Sequence, residues 1–488
     1  MSAIKKLASQ TAYYGISSIL GRMLNYALVP LHTRVLSNVA DYGIVGELYS
    51  YIAFINILFL YGMETAYFRF ASKAENAKDI YNKSFSSILF STILFCSILF
   101  YFSADVLRFL SQGAEGIYRI EYIWLFVLIL GLDALSAIPF AKLRLENRPL
   151  KFASIRIANI ALNVLLNIYF LVLSPMLNSN YSNADAVLYI FISNFAASIL
   201  SLILLYKEIL AAKIVWAWKG MKELYIYALP LMFAGLAGMT NETLDRILLK
   251  HYLPGEISWR LSEIGIYNAA YKLSIFMTLA VQAFRMAAEP YFFSINKNQD
   301  SKYTYAKVMN YFVLVCCLIF LGVCTHLNVL AYLLGEQYRA GLNVVPILLM
   351  ANLFLGVYLN LSIWYKLSDK TFFALYITLI GAALSIGLNI LWIPEYGYMA
   401  SAYTTLISYF AMCFFGYLFG QKYFPIPYNL FKIFSYIIFA LLLFLLSKFI
   451  DQVFAEQFIL SQVLNSTVFI AFAMYVFISF RKNESIVS

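Results

Sequence analysis

Apolar runs of about twenty residues follow one another from end to end of the chain, separated by short polar connections. A run of that length crosses roughly 30 Å of hydrocarbon as a helix. Fourteen spans are expected, at about 11–36, 42–66, 84–104, 119–141, 152–173, 186–206, 224–250, 263–288, 305–327, 341–365, 371–393, 397–419, 430–450 and 459–480. A membrane barrel would need short alternating strands, and that pattern is absent. The fold class is therefore all-α: a polytopic membrane protein of about fourteen transmembrane helices.

The spans also repeat. Asp41-Tyr42-Gly43-Ile44 with Tyr49 matches Glu263-Ile264-Gly265-Ile266 with Tyr271, each pair 222 positions apart, and Ala66-Tyr67-Phe68 matches Pro290-Tyr291-Phe292 at 224. Order and spacing together imply two six-helix lobes in parallel repeat, as in transporters built from such repeats. The expected division is residues 1–210 for the first lobe, 211–424 for the second, and 425–488 for two further helices, beginning near Pro425 and Pro427, with a short tail.

Composition agrees with the hydropathy pattern: of 488 residues 62% are hydrophobic and 12% charged, a balance no water-facing surface tolerates. The formal net charge of +10 does not point to nucleic acid, because the basic residues fall in alternate loops. With fourteen spans, 23 Lys and Arg lie in the loops on one side and six on the other, among them Lys250, Arg260 and Arg339. The positive-inside rule then places both termini in the cytoplasm. Shifting one span would scramble this alternation.

Several function classes drop out. No loop has room for a soluble catalytic or nucleotide-binding domain, and no Gly-Lys-Ser/Thr phosphate loop is present. Cys96, Cys316, Cys317, Cys324 and Cys413 all lie in expected spans and read as reduced packing residues. The three histidines lie near span ends, in no metal or triad spacing. The start MSAIKK has no cleavage site after its first apolar run, so the first span is expected to direct insertion.

What remains are charges inside the spans, each costing roughly 2.5–3.5 kcal/mol at mid-span. They concentrate in the seventh and eighth spans, which carry Glu242, Asp245, Arg246, Lys272 and Arg285; the first two, with Arg22, Glu47 and Glu64, form a weaker copy. At about 100° per residue, Arg22 and Asn25 share a face with Ser18, Val29 and His32. Lys272 lies ten residues into its span on a broad face with Asn268 and Gln282, and Arg285 and Glu289 continue that face. Arg22, Asn25, Asn268, Lys272, Gln282 and Arg285 are therefore the candidate binding residues. Glu64, Asp133, Glu242, Asp245 and Arg246 are candidates for ion coupling or gating. The alternatives are that Glu64 and Asp133 neutralise Arg22 or Lys272, and that Arg246 neutralises Glu242 and Asp245 by helical spacing. Pro30 and Pro230, in the first and seventh spans, are expected to bend their helices.

The entry SQTAYYGISSILGRMLNYALVPLHTRVLSNVADYGIVGELYS and the later TNETLDRILLKHYLP and SEIGIYNAAYKLS segments resemble the polysaccharide-transporter, or oligosaccharide flippase, family of the multidrug/oligosaccharidyl-lipid/polysaccharide exporter superfamily. The resemblance implies translocation of a polyprenyl-diphosphate-linked oligosaccharide from the cytoplasmic to the outer leaflet of a bacterial inner membrane, for O antigen or capsule. It implies alternating access, a cationic cavity to which Arg22 and Lys272 correspond, a proton or sodium gradient rather than a cofactor, and polymerase and export machinery as partners. A multidrug exporter or lipid II flippase of the same superfamily is the transporter alternative. A membrane polysaccharide polymerase is the enzyme alternative, weakened by the short external loops.

Overall fold

The computed structural model describes residues 23, 26–72, 74–112, 114, 116–177, 185–215, 218–295, 300–368 and 370–484. Among the described residues the ordered elements are all helical. They group into two compact units, Met1–Asn268 and Ala269–Ser488.

The first unit contains α1 (26–35), α2 (Val39–Leu60), α3 (Met63–Ala71), α4 (Ala77–Tyr101), α5 (Ser103–Ser111), α6 (Ile120–Leu145), α7 (Pro149–Ile168), α8 (Ser174–Leu177), α9 (Ala186–Leu204), α10 (Tyr206–Leu210), α11 (Trp218–Tyr252) and most of α12 (Ile257–Leu273). The sequence sets several of these starts. Asn38 caps α2 by accepting from the Ala40 amide at 3.0 Å, Asn76 caps α4, and Pro149 opens α7, where its missing N–H is not needed. The second expected span is α2 and α3 in series, broken where Tyr61 and Gly62 adopt φ 33° and 78°. Glycine suits that break twice over, since a Cβ at Gly62 would also come within 2.5 Å of the Ala228 carbonyl oxygen of α11.

Helix α6 runs through the middle of this unit, against α2, α3, α4 and α9. Its Phe126, Val127, Leu130 and Ala134 join Tyr67, Tyr81, Ile88 and Ala228 in the main buried cluster. Helix α11 packs on α2, α3 and α4, so the seventh span belongs by contact to the first unit, whereas the internal repeat assigns it to the second half of the sequence.

The second unit holds the end of α12, then α13 (Ile275–Ile295), α14 (Ser301–Thr325), α15 (Leu327–Leu330), α16 (Val344–Leu361), α17 (Ile363–Leu367), α18 (Phe372–Tyr396), α19 (Tyr398–Tyr423), α20 (Leu430–Val453) and α21 (Phe458–Glu484). Helix α19 packs along α16 and α18, while α20 and α21, the appended pair, lie against α14.

Twelve helices among the described residues are long and apolar enough to span a membrane, thirteen when the bent pair α12 and α13 counts as one span. Most of the first expected span lies outside the described residues. The eighth span breaks at Ser274, which caps nothing with a proline: its amide bonds to the Tyr271 carbonyl at 3.0 Å and its hydroxyl donates to the same oxygen at 2.7 Å. Pro230, by contrast, lies within the continuous α11.

Candidate functional site

The charges expected inside the spans are grouped, and each group is assembled from helices distant in sequence. In the first unit Lys250, at the end of α11, is 1% exposed, and its Nζ donates to Glu47 Oε1 of α2 at 2.7 Å and to the Tyr118 hydroxyl at 2.9 Å. Tyr118 itself donates to Glu47 Oε2, which closes a three-membered network with Glu47 fully buried. Lys250 was read from the sequence as an external loop cation. It is an interior residue.

One turn away on α11, Arg246 Nη1 donates to Asp245 Oδ1 at 2.9 Å and to the Glu242 carbonyl at 3.0 Å, and Tyr267 of α12 donates to Asp245 Oδ2 at 2.6 Å. The side-chain ion pair thus runs to Asp245, while the Glu242 side chain is exposed. Helical spacing brought Arg246 to the backbone of Glu242 rather than to its carboxylate, because Tyr267 and Arg246 together fix Asp245 in the interior.

A second polar cluster occupies the interface of α6, α7 and α9. Asp133 accepts from Ser198 at 2.8 Å, Asn159 donates to Ser201 at 2.9 Å, and Asn194 donates to the Tyr49 hydroxyl at 2.7 Å. His32 bonds Asn167 at 2.8 Å. Arg156 stacks on the Phe140 ring, 4.2 Å from its centroid. Glu64 of α3 is paired with Arg144 of α6. Among the described residues, then, Glu64 is partnered by Arg144 and Asp133 by Ser198.

In the second unit Glu289 of α13 pairs with Lys366 of α17 and lies 3.9 Å from Arg285 Nε, and these three border a small cavity with Phe284, Ser362 and Phe292. Gln282, one turn before Arg285, keeps a buried Oε1 with no hydrogen-bond partner among the described residues. Lys272 is half-buried in the last turn of α12. Asn268, in the first unit, is buried against Gly46 of α2. Arg22 and Asn25 lie outside the described residues.

Two groups escaped sequence reasoning. Lys250 and Tyr118 carried one signal, a lysine embedded in the apolar stretch Ile247-Leu248-Leu249. Arg144 and Lys366 carried none, since each reads as an ordinary loop cation. No group of three His, Cys, Asp or Glu residues able to hold a metal occurs among the described residues. The chemistry on offer is that of ion pairs and hydroxyls inside helices: anion binding, cation binding or conformational latching.

A family model described as polysaccharide biosynthesis protein matches residues 7–296. No curated protein sequence matches. Among solved structures, a lipid II flippase MurJ in an inward closed conformation aligns over 95% of this chain and 98% of its own at 15% identity, with a TM-score of 0.66. An inward-facing multidrug resistance MATE family transporter of the MOP superfamily aligns over 82% and 94% at 12% identity, with a TM-score of 0.67. The Vibrio cholerae MATE transporter VcmN in its bent form aligns over 89% and 98% at 14% identity, with a TM-score of 0.56. At such identities the likeness is one of fold, while the family match spans more than half the chain. The chain belongs to the polysaccharide biosynthesis protein family and has the fold of the flippases and exporters of the MOP superfamily.

Proposed function

We propose that the protein is a flippase that carries a polyprenyl-diphosphate-linked oligosaccharide from the cytoplasmic to the outer leaflet of a bacterial inner membrane, for O antigen or capsule assembly. A sugar-diphosphate headgroup cannot cross hydrocarbon unaided, because it would lose its hydration without gaining partners. Lys and Arg side chains replace that hydration with charge-assisted hydrogen bonds to phosphate oxygens. The observation that carries this reading is the Arg285, Glu289 and Lys366 group, two cations held around one carboxylate within the helices of the second unit. A diphosphate offers the same acceptor chemistry with more charge. Lys272 and Arg22 supply the deeper cations on this reading.

The prenyl tail stays in the bilayer. An apolar cavity of about 350 Å³ between α14, α16, α19 and α20, lined by Phe354, Phe414, Leu418 and Phe434 among others, supports a tail groove that includes the appended helices. Asp133, an accessible carboxylate within a membrane-spanning helix and bonded to Ser198, is the one we assign to proton or sodium coupling, because among the described residues it has no ion-pair partner within hydrogen-bond reach. Polymerase and export proteins are the expected partners.

Reconstitution in vesicles tests the reading. With lipid-linked oligosaccharide in the inner leaflet and an imposed proton or sodium gradient, the expected result is protein-dependent exposure of the glycan in the opposite leaflet. Export of organic cations without glycan movement would make it a multidrug transporter. Lipid II flipping is a second reading favoured by the full-length alignment with MurJ, and lipid II in the same vesicles separates the two.

A further inference from the structure

We propose that the N-terminal end of α2, Tyr118 and the facing ends of α11 and α12 form a releasable latch that closes the outer side of the transport path. The proposal rests on the transporter reading and on the sidedness that the loop charges imply. Its geometry lies wholly within the first unit.

The first observation joins the sequence repeat to the packing. Gly43 and Gly265 occupy equivalent places in the two halves, 222 residues apart, and they meet each other. A Cβ on Gly265 would lie 3.1 Å from the Gly43 amide nitrogen and 2.4 Å from the Val39 carbonyl oxygen; one on Gly43 would lie 1.9 Å from the Leu261 carbonyl oxygen. The crossing of α2 and α12 thus brings two matched positions of the sequence repeat together, backbone against backbone. Gly46 extends the crossing by one turn, where a Cβ would stand 2.7 Å from Asn268 Nδ2.

The second observation is that the same region carries the Glu47, Lys250 and Tyr118 network. It joins the first half of the sequence, through Glu47 and Tyr118, to the second half, through Lys250. At the same 222-residue offset Ala269 corresponds to Glu47 and Leu28 to Lys250, so the pair has no copy in the repeat. A second layer lies above it: Gln112 bonds His251 at 2.8 Å, and Arg260 donates to the Lys250 carbonyl at 3.1 Å.

A buried ion pair is a poor choice for permanent closure, because its burial sacrifices the hydration of both charges. It is a good choice for a closure that must come undone. When the crevice opens, Glu47 and Lys250 regain water, which offsets the lost contact; an apolar seam of equal area would resist opening with its full burial energy. The glycines contribute the other half of the device, a tight fit with no interdigitating side chains to withdraw.

The test uses the full-length chain with its five cysteines replaced and one reporter, Asn268→Cys, beneath the crossing. A membrane-impermeant maleimide is applied from each side of oriented vesicles. With the latch intact, the reporter is expected to resist labelling from the outer side. Lys250→Met is expected to raise the outer labelling rate at least tenfold, and exchange of the charges, Glu47→Lys with Lys250→Glu, to bring it back down. Gly265→Ala, which wedges the crossing and leaves the ion pair in sequence, is expected to act like Lys250→Met and carries the test if that variant fails to accumulate. Unchanged outer labelling in both variants, or an increase only from the cytoplasmic side, overturns the latch. Labelling requires no substrate, so a latch that behaves as expected, together with a chain that retains Asn268 and moves no glycan, would refute the flippase reading alone.

Discussion

At the scale of the residue, Lys250 shows how burial changes what a charge means. Truncating one member of a buried pair leaves the other unpaired, at a cost of about 3–5 kcal/mol, whereas removing both charges in apolar replacements of similar size is often neutral. Lys250→Met should therefore lower the unfolding temperature of the purified protein clearly, and Glu47→Leu with Lys250→Met should recover most of the loss. A double variant no better than the single one would mean that Tyr118, not the ion pair, dominates. Gly62 makes a backbone argument instead. Any side chain there costs about 1–2 kcal/mol in the left-handed conformation, and the Ala228 oxygen at 2.5 Å adds a collision. Gly62→Ala should lower the unfolding temperature, and an unchanged value would show that α3 can shift freely. None of these partnerships was legible in the sequence. Lys250 and Glu47 are 203 residues apart, and a lysine beside a span end reads equally well as a loop cation.

At the scale of the element, hydropathy did most of the work. The expected spans fall on helices wherever the residues are described, since length and apolarity decide membrane insertion before any tertiary contact forms. Breaks were another matter. Proline drew attention to position 230, where the helix is continuous, while the breaks at Tyr61–Gly62 and Ser274 rest on a left-handed pair and on a side-chain hydrogen bond. Helix pairing also predicts chemistry. If the cavity between α19 and α20 holds a prenyl tail, Leu418→Trp, which fills it from α19, should slow transport of long-chain lipid-linked glycan and spare short-chain analogues in the vesicle assay. Equal transport of both would remove the tail from that groove.

At the scale of the whole molecule, the proposed flippase function predicts that the cations Arg22 and Lys272 matter for transport and not for folding. Arg22→Ala and Lys272→Ala should each abolish glycan translocation while membrane levels stay normal, measured by surface glycan and immunoblot together. Full transport in both variants would end the cationic-cavity reading. Asp133→Asn should keep binding but flatten the response to an imposed ion gradient; an unaltered gradient dependence would move coupling to another carboxylate.

Sequence alone determined that the chain is a helical membrane protein and roughly where its helices run, because hydrocarbon imposes length and apolarity on each span separately. It also flagged that charges within the spans needed partners. Only the tertiary structure decided which partners: Glu64 with Arg144, Glu289 with Lys366, Asp245 with Arg246 and Tyr267, Glu47 with Lys250. In a span that is apolar all round, periodicity says little about which face meets protein and which meets lipid. The pairing is settled by helix crossings, and those turn on close approaches such as Gly43 against Gly265, where two backbones touch.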